Sequence, residues 1–245
     1  HIREASFNMR KTLEELSPEG RIVEIDPHKL GPVHAVLQAT DYIDLSLPTI
    51  VNYAYFSCFW NYKKFLATIK NSDCDGAIPA YKGFHPHSLK GNYYAYIRET
   101  DKWVSDIQEK KPFTNNPTEE FASSGTYYFR SGCRMKDYFK KTIEADLKVA
   151  NEYYVSMAYK PMIADKLRIQ VYELQHFMQW GTPEDLEEYN YWSDTFHSIE
   201  DETKPPFQAG TLMIPMAGSG SRFKERGYIK PKPSISVSGK PMVIQ

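Results

Sequence analysis

Stretches with helical spacing alternate with short β-branched or aromatic runs along most of this sequence, and that alternation restricts the chain to an α/β architecture. Residues 4–17 place Phe7, Met9, Leu13 and Leu16 among charges, the pattern of an amphipathic helix, and Arg21–Ile25 follows as a short strand closed by Asp26-Pro27. Val33–Ile43 and Tyr62–Ile69 predict further helices, while Thr49–Tyr53, Asp75–Ala80 and Tyr93–Arg98 predict strands. The pattern continues with a strand at Gly125–Phe129, helical stretches at Met135–Ala145 and Tyr153–Ile163, and a strand at Leu167–Tyr172. The economical expectation is a mixed, mostly parallel Rossmann-like sheet with helices on both faces.

Composition bounds what such a fold can do. The 245 residues are 41% apolar, enough for a well-buried core, and 30 basic against 31 acidic residues give a net charge of −1. No global field draws the chain to nucleic acid or to a membrane, so neither is an expected partner. Cys58, Cys74 and Cys133 are odd in number and far apart, which argues against a disulfide framework or a structural zinc and for a reducing, cytoplasmic setting. No apolar run approaches the roughly 20 residues that cross a bilayer. The first residue is His1 and not Met, which implies that residues precede it. From Ser193 the text turns acidic and proline-bearing, so 196–209 reads as a linker between 1–195 and a separate segment, 210–245.

That last segment carries the sharpest chemistry. Thr211–Met216 is a short apolar strand that runs into Ala217, Gly218, Ser219, Gly220, Ser221 and Arg222. Glycines let backbone N–H groups approach a polyphosphate, and Arg222 adds a charge-assisted bond. Ten residues on, Lys232 stands between Pro231 and Pro233, and Ser238-Gly239-Lys240-Pro241 marks a second turn. A constrained lysine near a scissile phosphate neutralises charge that builds in the transition state. The spacing is not that of a Walker A loop.

Ile214–Met242 resembles the amino-terminal signature of the sugar-nucleotidyltransferases, or NDP-sugar pyrophosphorylases. The resemblance implies that Gly218, Gly220, Ser221 and Arg222 hold a triphosphate, with Ala217 and Ser219 in the same loop, and that Lys232 meets the reacting phosphates. Ser234 and Ser236 depart from the apolar residues usual there. Earlier stretches are similar to later parts of the same family: Gly31-Pro32-Val33 to its nucleobase-contacting helix start, and Glu109-Lys110-Lys111-Pro112 to its stretch near the sugar phosphate. Gly125 within 122–129, Glu152 within 152–156 and Trp180–Leu186 match its acceptor-site and closing motifs. The implied reaction transfers a nucleoside monophosphate from an NTP to a sugar 1-phosphate or similar acceptor, with release of pyrophosphate. A homo-oligomer is compatible with it.

Two features set this chain apart. The phosphate loop, first in the family, is last here, so the chain is either permuted or a fragment of a tandem protein. Because 210–245 cannot bury a core alone, one catalytic unit built from both segments is the preferred reading. Second, the resemblance implies Mg²⁺, yet no carboxylate lies between Asp44 and Cys58, and Gln179 stands where many members have another aspartate. The metal ligands are therefore unassigned, and a catalytically impaired nucleotide-binding or regulatory module is the alternative. His85 and His87 lack a third ligand at short range and are assigned no metal.

Overall fold

The computed structural model describes residues 9–85, 91, 94–201, 213, 215–216, 218–237 and 239–244. The chain divides into two compact units, His1–Phe196 and His197–Gln245.

In the first unit the helices are α1 (Met9–Leu16), α2 (Pro32–Gln38), α3 (Tyr62–Ser72), α4 (Gly132–Glu144) and α5 (Tyr159–Ala164). The strands are β1 (Thr49–Asn52), β2 (Phe56–Phe59), β3 (Gly76–Tyr81), β4 (Ala95–Thr100), β5 (Trp103–Glu109), β6 (Phe121–Ser123), β7 (Thr126–Phe129), β8 (Ile169–Glu173) and β9 (His176–Gln179). A further helix, α6 (Pro183–Asp201), begins in this unit. Local chemistry sets several boundaries. The Asn61 side chain accepts from Lys64 N at the start of α3, and Ser131 does the same for Arg134 N at the start of α4. Asp73, left-handed at φ 49°, ends α3.

Seven strands form one sheet in the order β1-β7-β3-β6-β4-β5-β8, with β8 also paired to β3. The mixed α/β class is the one expected, but the strands are not mostly parallel: among the described residues only β3 and β8 pair parallel. β1 and β3 do run the same way, as their helical connection α3 requires. However, β7 lies between them and opposes both, matching Thr49 with Phe129 on one side and Gly76 with Phe129 on the other. The turn at Asp101 and Lys102 then makes β4 and β5 a hairpin. Alternation in sequence gives direction across a crossover; it does not say which strand is inserted between.

The two-residue period of the strands sorts side chains to opposite faces. Ile78, Tyr127, Phe129, Ile169 and Val171 meet Val33 of α2, Met135 and Phe139 of α4, and Tyr159 and Met162 around α5. Ala77 and Tyr128 turn the other way, onto Phe65 and Ile69 of α3. Helices therefore cover both faces, as expected. In β5, Val104 and Ile107 share a face although three residues apart, because the pairing slips by one residue at Ser105. Phe65 and Phe129 are wholly buried, each worth about 1.5–3 kcal/mol of transfer free energy.

Arg21–Ile25 forms no strand. Its Arg21 and Glu24 are exposed, Arg21 lies over the Tyr42 ring and Glu24 pairs with Arg10. A β-like composition without a partner strand does not make a strand.

α6 reaches Asp201 and so occupies the first six positions of the expected 196–209 linker. Thr182 Oγ1 accepts from Asp185 N, and Glu184 and Asp185 sit in the first turn, where the helix dipole favours them. Residues 202–209 lie outside the described residues.

The second unit contains α7 (Ser221–Glu225) and a ribbon of β10 (Ser236–Val237) and β11 (Lys240–Pro241). Ile235 is its buried residue among those described. Of the strand expected at Thr211–Met216, Thr211, Leu212 and Ile214 lie outside the described residues, and Met213, Pro215 and Met216 are not in a strand.

Candidate functional site

In the first unit the site is built where β5 ends. Lys110 N donates to Tyr94 O at 2.8 Å, and Lys110 then turns left-handed, with φ 58°, so that Glu109 and Lys110 point into different surroundings. The Glu109 carboxylate accepts from Ser156 Oγ at 2.5 Å; Ser156 is buried in the 3₁₀ turn Val155–Ala158. Burial pushes the Glu109 carboxyl above its ordinary pKa, and the Ser156 hydroxyl and the Lys110 charge pull it partly back. The Tyr127 phenol shares hydrogen bonds with Ser123 and Ser156, and burial raises it far out of the physiological range.

Lys110 Nζ donates to the Tyr154 hydroxyl at 2.6 Å, and that hydroxyl donates to Glu152. Burial and the neighbouring Glu152 carboxylate hold the phenol well above its usual value. Tyr53 closes another side: its ring stands edge-on to Tyr127 at 5.8 Å, its hydroxyl accepts from Val155 N at 3.4 Å and its N–H donates to Gly125 O at 3.0 Å.

Gly31 starts α2 against the same segment. Val33 N donates to Tyr153 O and Tyr153 N to Leu30 O, and a Cβ on Gly31 would come within 2.7 Å of Tyr153 N. With φ 85° and ψ 176°, the position takes only glycine comfortably. Gly31, Glu109, Lys110 and Glu152, spread over more than 120 residues, thus converge on Tyr153–Ser156, and Gly125 reaches that segment through Tyr53, whose hydroxyl accepts from Val155 N. Sequence reasoning offered Tyr127 and Tyr154 only among aromatics that could stack on a base or a sugar, and gave Ser123 and Ser156 no role of their own. The available signal was the polar insertion Ser123-Ser124-Gly125-Thr126 in an otherwise apolar strand region.

The second unit holds a pocket of about 520 Å³ lined by Gly218, Ser219, Gly220, Ser221, Arg222 and Lys232 and, in equal number, by Pro215, Met216, Phe223, Pro233, Met242 and Val243. Gly220, left-handed at φ 65°, caps α7, and its carbonyl accepts from Phe223 N and Lys224 N. A Cβ at Gly220 would touch Lys232 Cβ at 3.5 Å, so loop and lysine are neighbours. The Lys232 ammonium lies 5.8 Å over the Phe223 ring. Between Met213 and Ile244 the cations Arg222, Lys224, Arg226, Lys230, Lys232 and Lys240 face a single carboxylate, Glu225. This is a concave, basic, glycine-lined surface suited to an anion. Ala217 lies outside the described residues.

No family model and no curated protein matches the sequence. Solved structures do resemble the fold. The nucleoside-diphosphate-sugar pyrophosphorylase from Vibrio cholerae RC9 superimposes with a TM-score of 0.59 at 14% identity, covering 77% of this chain and 77% of that one. A UDP-glucose pyrophosphorylase complexed with UDP-glucose gives 0.57 at 16% identity, covering 80% and 74%. A Bacillus anthracis protein described as a glucose-1-phosphate thymidylyltransferase, in complex with sucrose, gives 0.57 at 11% identity, covering 83% and 74%. This chain has the fold of the sugar-nucleotide pyrophosphorylases.

Within this nucleotidyltransferase fold, the two places that lack the expected aspartates are brought side by side. β2 pairs with β9, Phe56 opposite Gln179, and Trp180 N donates to Tyr55 O at 2.8 Å. A divalent cation such as Mg²⁺ needs hard, preferably charged oxygen donors. The corner offers a phenol, a carboxamide and an indole: residues 45–62 contain no charged side chain, and residues 174–183 contain only His176. The Gln179 amide lies over the spot where a Cβ on Gly181 would be. Among the described residues no three His, Cys, Asp or Glu gather. The residues at this corner do not fit a divalent cation. Trp180 is half-buried, edge-on to Tyr189 at 5.2 Å, and its Nε1 is buried without a partner among the described residues. Among the described residues no helix is long and apolar enough to cross a membrane.

Proposed function

We propose that this chain serves nucleotidyl transfer: an oxygen of a sugar 1-phosphate, or of a similar phosphorylated acceptor, attacks the α-phosphorus of an NTP. The bond from that phosphorus to the bridging oxygen breaks, and pyrophosphate leaves. The observation that carries this reading is the convergence of Gly31, Glu109, Lys110 and Glu152 on one short segment, in a fold shared with sugar-nucleotide pyrophosphorylases. In this reading Glu109, Lys110, Gly125 and Glu152 bind the acceptor, and Gly31 lies at the nucleoside. The loop from Ala217 to Ser221 cradles the triphosphate, and Arg222 and Lys232 neutralise charge on the phosphates. The acceptor is already an anionic nucleophile, so positioning and charge neutralisation suffice without a general base.

A second reading, a nucleotide-binding or regulatory module with impaired catalysis, draws support from the neutral corner at Tyr55 and Gln179. Pyrophosphate release, measured with five nucleoside triphosphates (ATP, GTP, CTP, UTP and dTTP) against a panel of sugar 1-phosphates, separates the two. Release that depends on one acceptor supports transfer. Nucleotide binding with no release from any pair supports the module.

A further inference from the structure

The corner formed by β2 and β9 has a consequence for how nucleotide would be held. Cation affinity for a bound nucleotide exceeds that for the free nucleotide only if the protein adds ligands of its own. By linkage, a cation that gains nothing from the protein cannot tighten nucleotide binding, because the two effects are one coupling free energy. At this corner the protein adds no carboxylate. In the second unit, Arg222 and Lys232 line the glycine loop's pocket and offer cationic side chains to a phosphate.

We infer that this chain binds nucleoside triphosphates without a protein-held divalent cation, the phosphate charge being met by basic side chains. The inference rests on the nucleotide site proposed above. It also names the place: Gln179 lies opposite Phe56, and just before β2 the chain bends at Ala54 and Tyr55, where Tyr55 O accepts from Trp180 N. Position 179, together with 54 or 55 in the adjoining bend, is therefore where carboxylates would create a cation site.

The test is calorimetric titration of the full chain with the five nucleoside triphosphates, once in EDTA and once in millimolar Mg²⁺, together with Mn²⁺ titration of the nucleotide-free protein followed by electron paramagnetic resonance. The expected result is a Kd in EDTA equal to or tighter than that in Mg²⁺, and no Mn²⁺ site that depends on Gln179. A double variant carrying Gln179→Asp with either Ala54→Asp or Tyr55→Asp should reverse the order, with Mg²⁺ tightening binding tenfold or more in one of the two. Tenfold tightening by Mg²⁺ in the wild type overturns the inference, as does a wild-type Mn²⁺ site abolished by Gln179→Ala. Two folded double variants that both show no gain overturn the placement of the corner. Absence of nucleotide binding in both buffers instead removes the nucleotide-site reading, and the Mn²⁺ titration still decides whether the corner holds a cation.

Discussion

The ammonium group of Lys110 donates to the phenol of Tyr154 at 2.6 Å, from a backbone held left-handed at φ 58°. A lysine kept in that conformation by the end of β5 is a fixed cation, since its side chain is tied to Tyr154 and, through the phenol, to Glu152. Fixed charge serves anion binding better than a mobile surface lysine, because less side-chain entropy is lost when the anion arrives.

Lys110→Ala is therefore expected to raise the acceptor KM by about 10- to 100-fold, the equivalent of one charge-assisted hydrogen bond. Nucleotide affinity should stay within threefold. Tyr154→Phe, which frees the ammonium but keeps the ring beneath it, should have a smaller effect. Steady-state kinetics with the acceptor identified by pyrophosphate release, beside calorimetry with the nucleotide, checks both; equal losses in nucleotide and acceptor binding would contradict the assignment.

Gly31→Ala should destabilise the first unit by about 2–4 kcal/mol, combining the backbone cost of a region reserved for glycine with a clash against Tyr153 N and O. Urea midpoints read this directly. A variant as stable as the wild type would mean that α2 does not start against Tyr153 in solution.

Glu109 gives a pH signature. Its carboxyl is raised by burial, so the folded chain binds its proton more tightly than the unfolded chain. Above the folded value this group lowers stability; as pH falls through the folded value towards the unfolded 4.5, that cost disappears. Glu109→Gln should accordingly be more stable than the wild type near neutral pH, with the difference shrinking on acidification. Unfolding midpoints of both proteins between pH 4.5 and 8 test it, and a pH-independent difference would rule out ionisation as the cause. Ser156→Ala removes the donor and should raise the folded value further.

Much of this arrangement is legible in the sequence, but unevenly. The helices at Tyr62 and Gly132 and the strand at Gly76 follow from apolar period, capping Asn61 and Ser131, and a short β-branched or small-residue run. The insertion of β7 between β1 and β3 is not legible, because strand neighbours are chosen by packing between segments far apart. The convergence on Tyr153–Ser156 is half legible: the family resemblance points to Glu109, Lys110 and Glu152, whereas the hydroxyls of Ser123, Ser156 and Tyr127 carry no motif of their own. They become functional candidates only when a buried carboxylate is seen to lean on them.

In the second unit, Arg222→Ala and Lys232→Ala should each weaken triphosphate binding by about 10- to 100-fold, the size of one charge-assisted contact. Gly220→Ala should weaken it too, through about 1–2 kcal/mol of left-handed strain at the start of α7. Wild-type affinity in both charge variants would remove the phosphate-loop assignment, whereas loss in Gly220→Ala alone would point to loop shape as the determinant.

The last prediction bears on whether the loop segment completes the first unit or opens a second one. Among the described residues, the three hydrophobic clusters are made by residues between Val33 and Phe177, so the material of a core is present without residues 197–245. A chain ending at Phe196 is therefore expected to unfold in one cooperative urea transition. Its behaviour at rising concentration is the finer probe. β1 is paired only on its β7 side among the described residues, and its Ile50 and Val51 are half-buried. An open edge with apolar flanks recruits other strands. If the segment from Thr211 belongs beside β1, the truncated chain should associate in sedimentation velocity runs where the full chain does not, and an added peptide spanning residues 210–245 should reverse the effect. If the truncated and full chains sediment alike at every concentration, the loop segment is the opening of a separate unit. A truncated chain with no cooperative transition would show instead that the core depends on residues 197–245 after all.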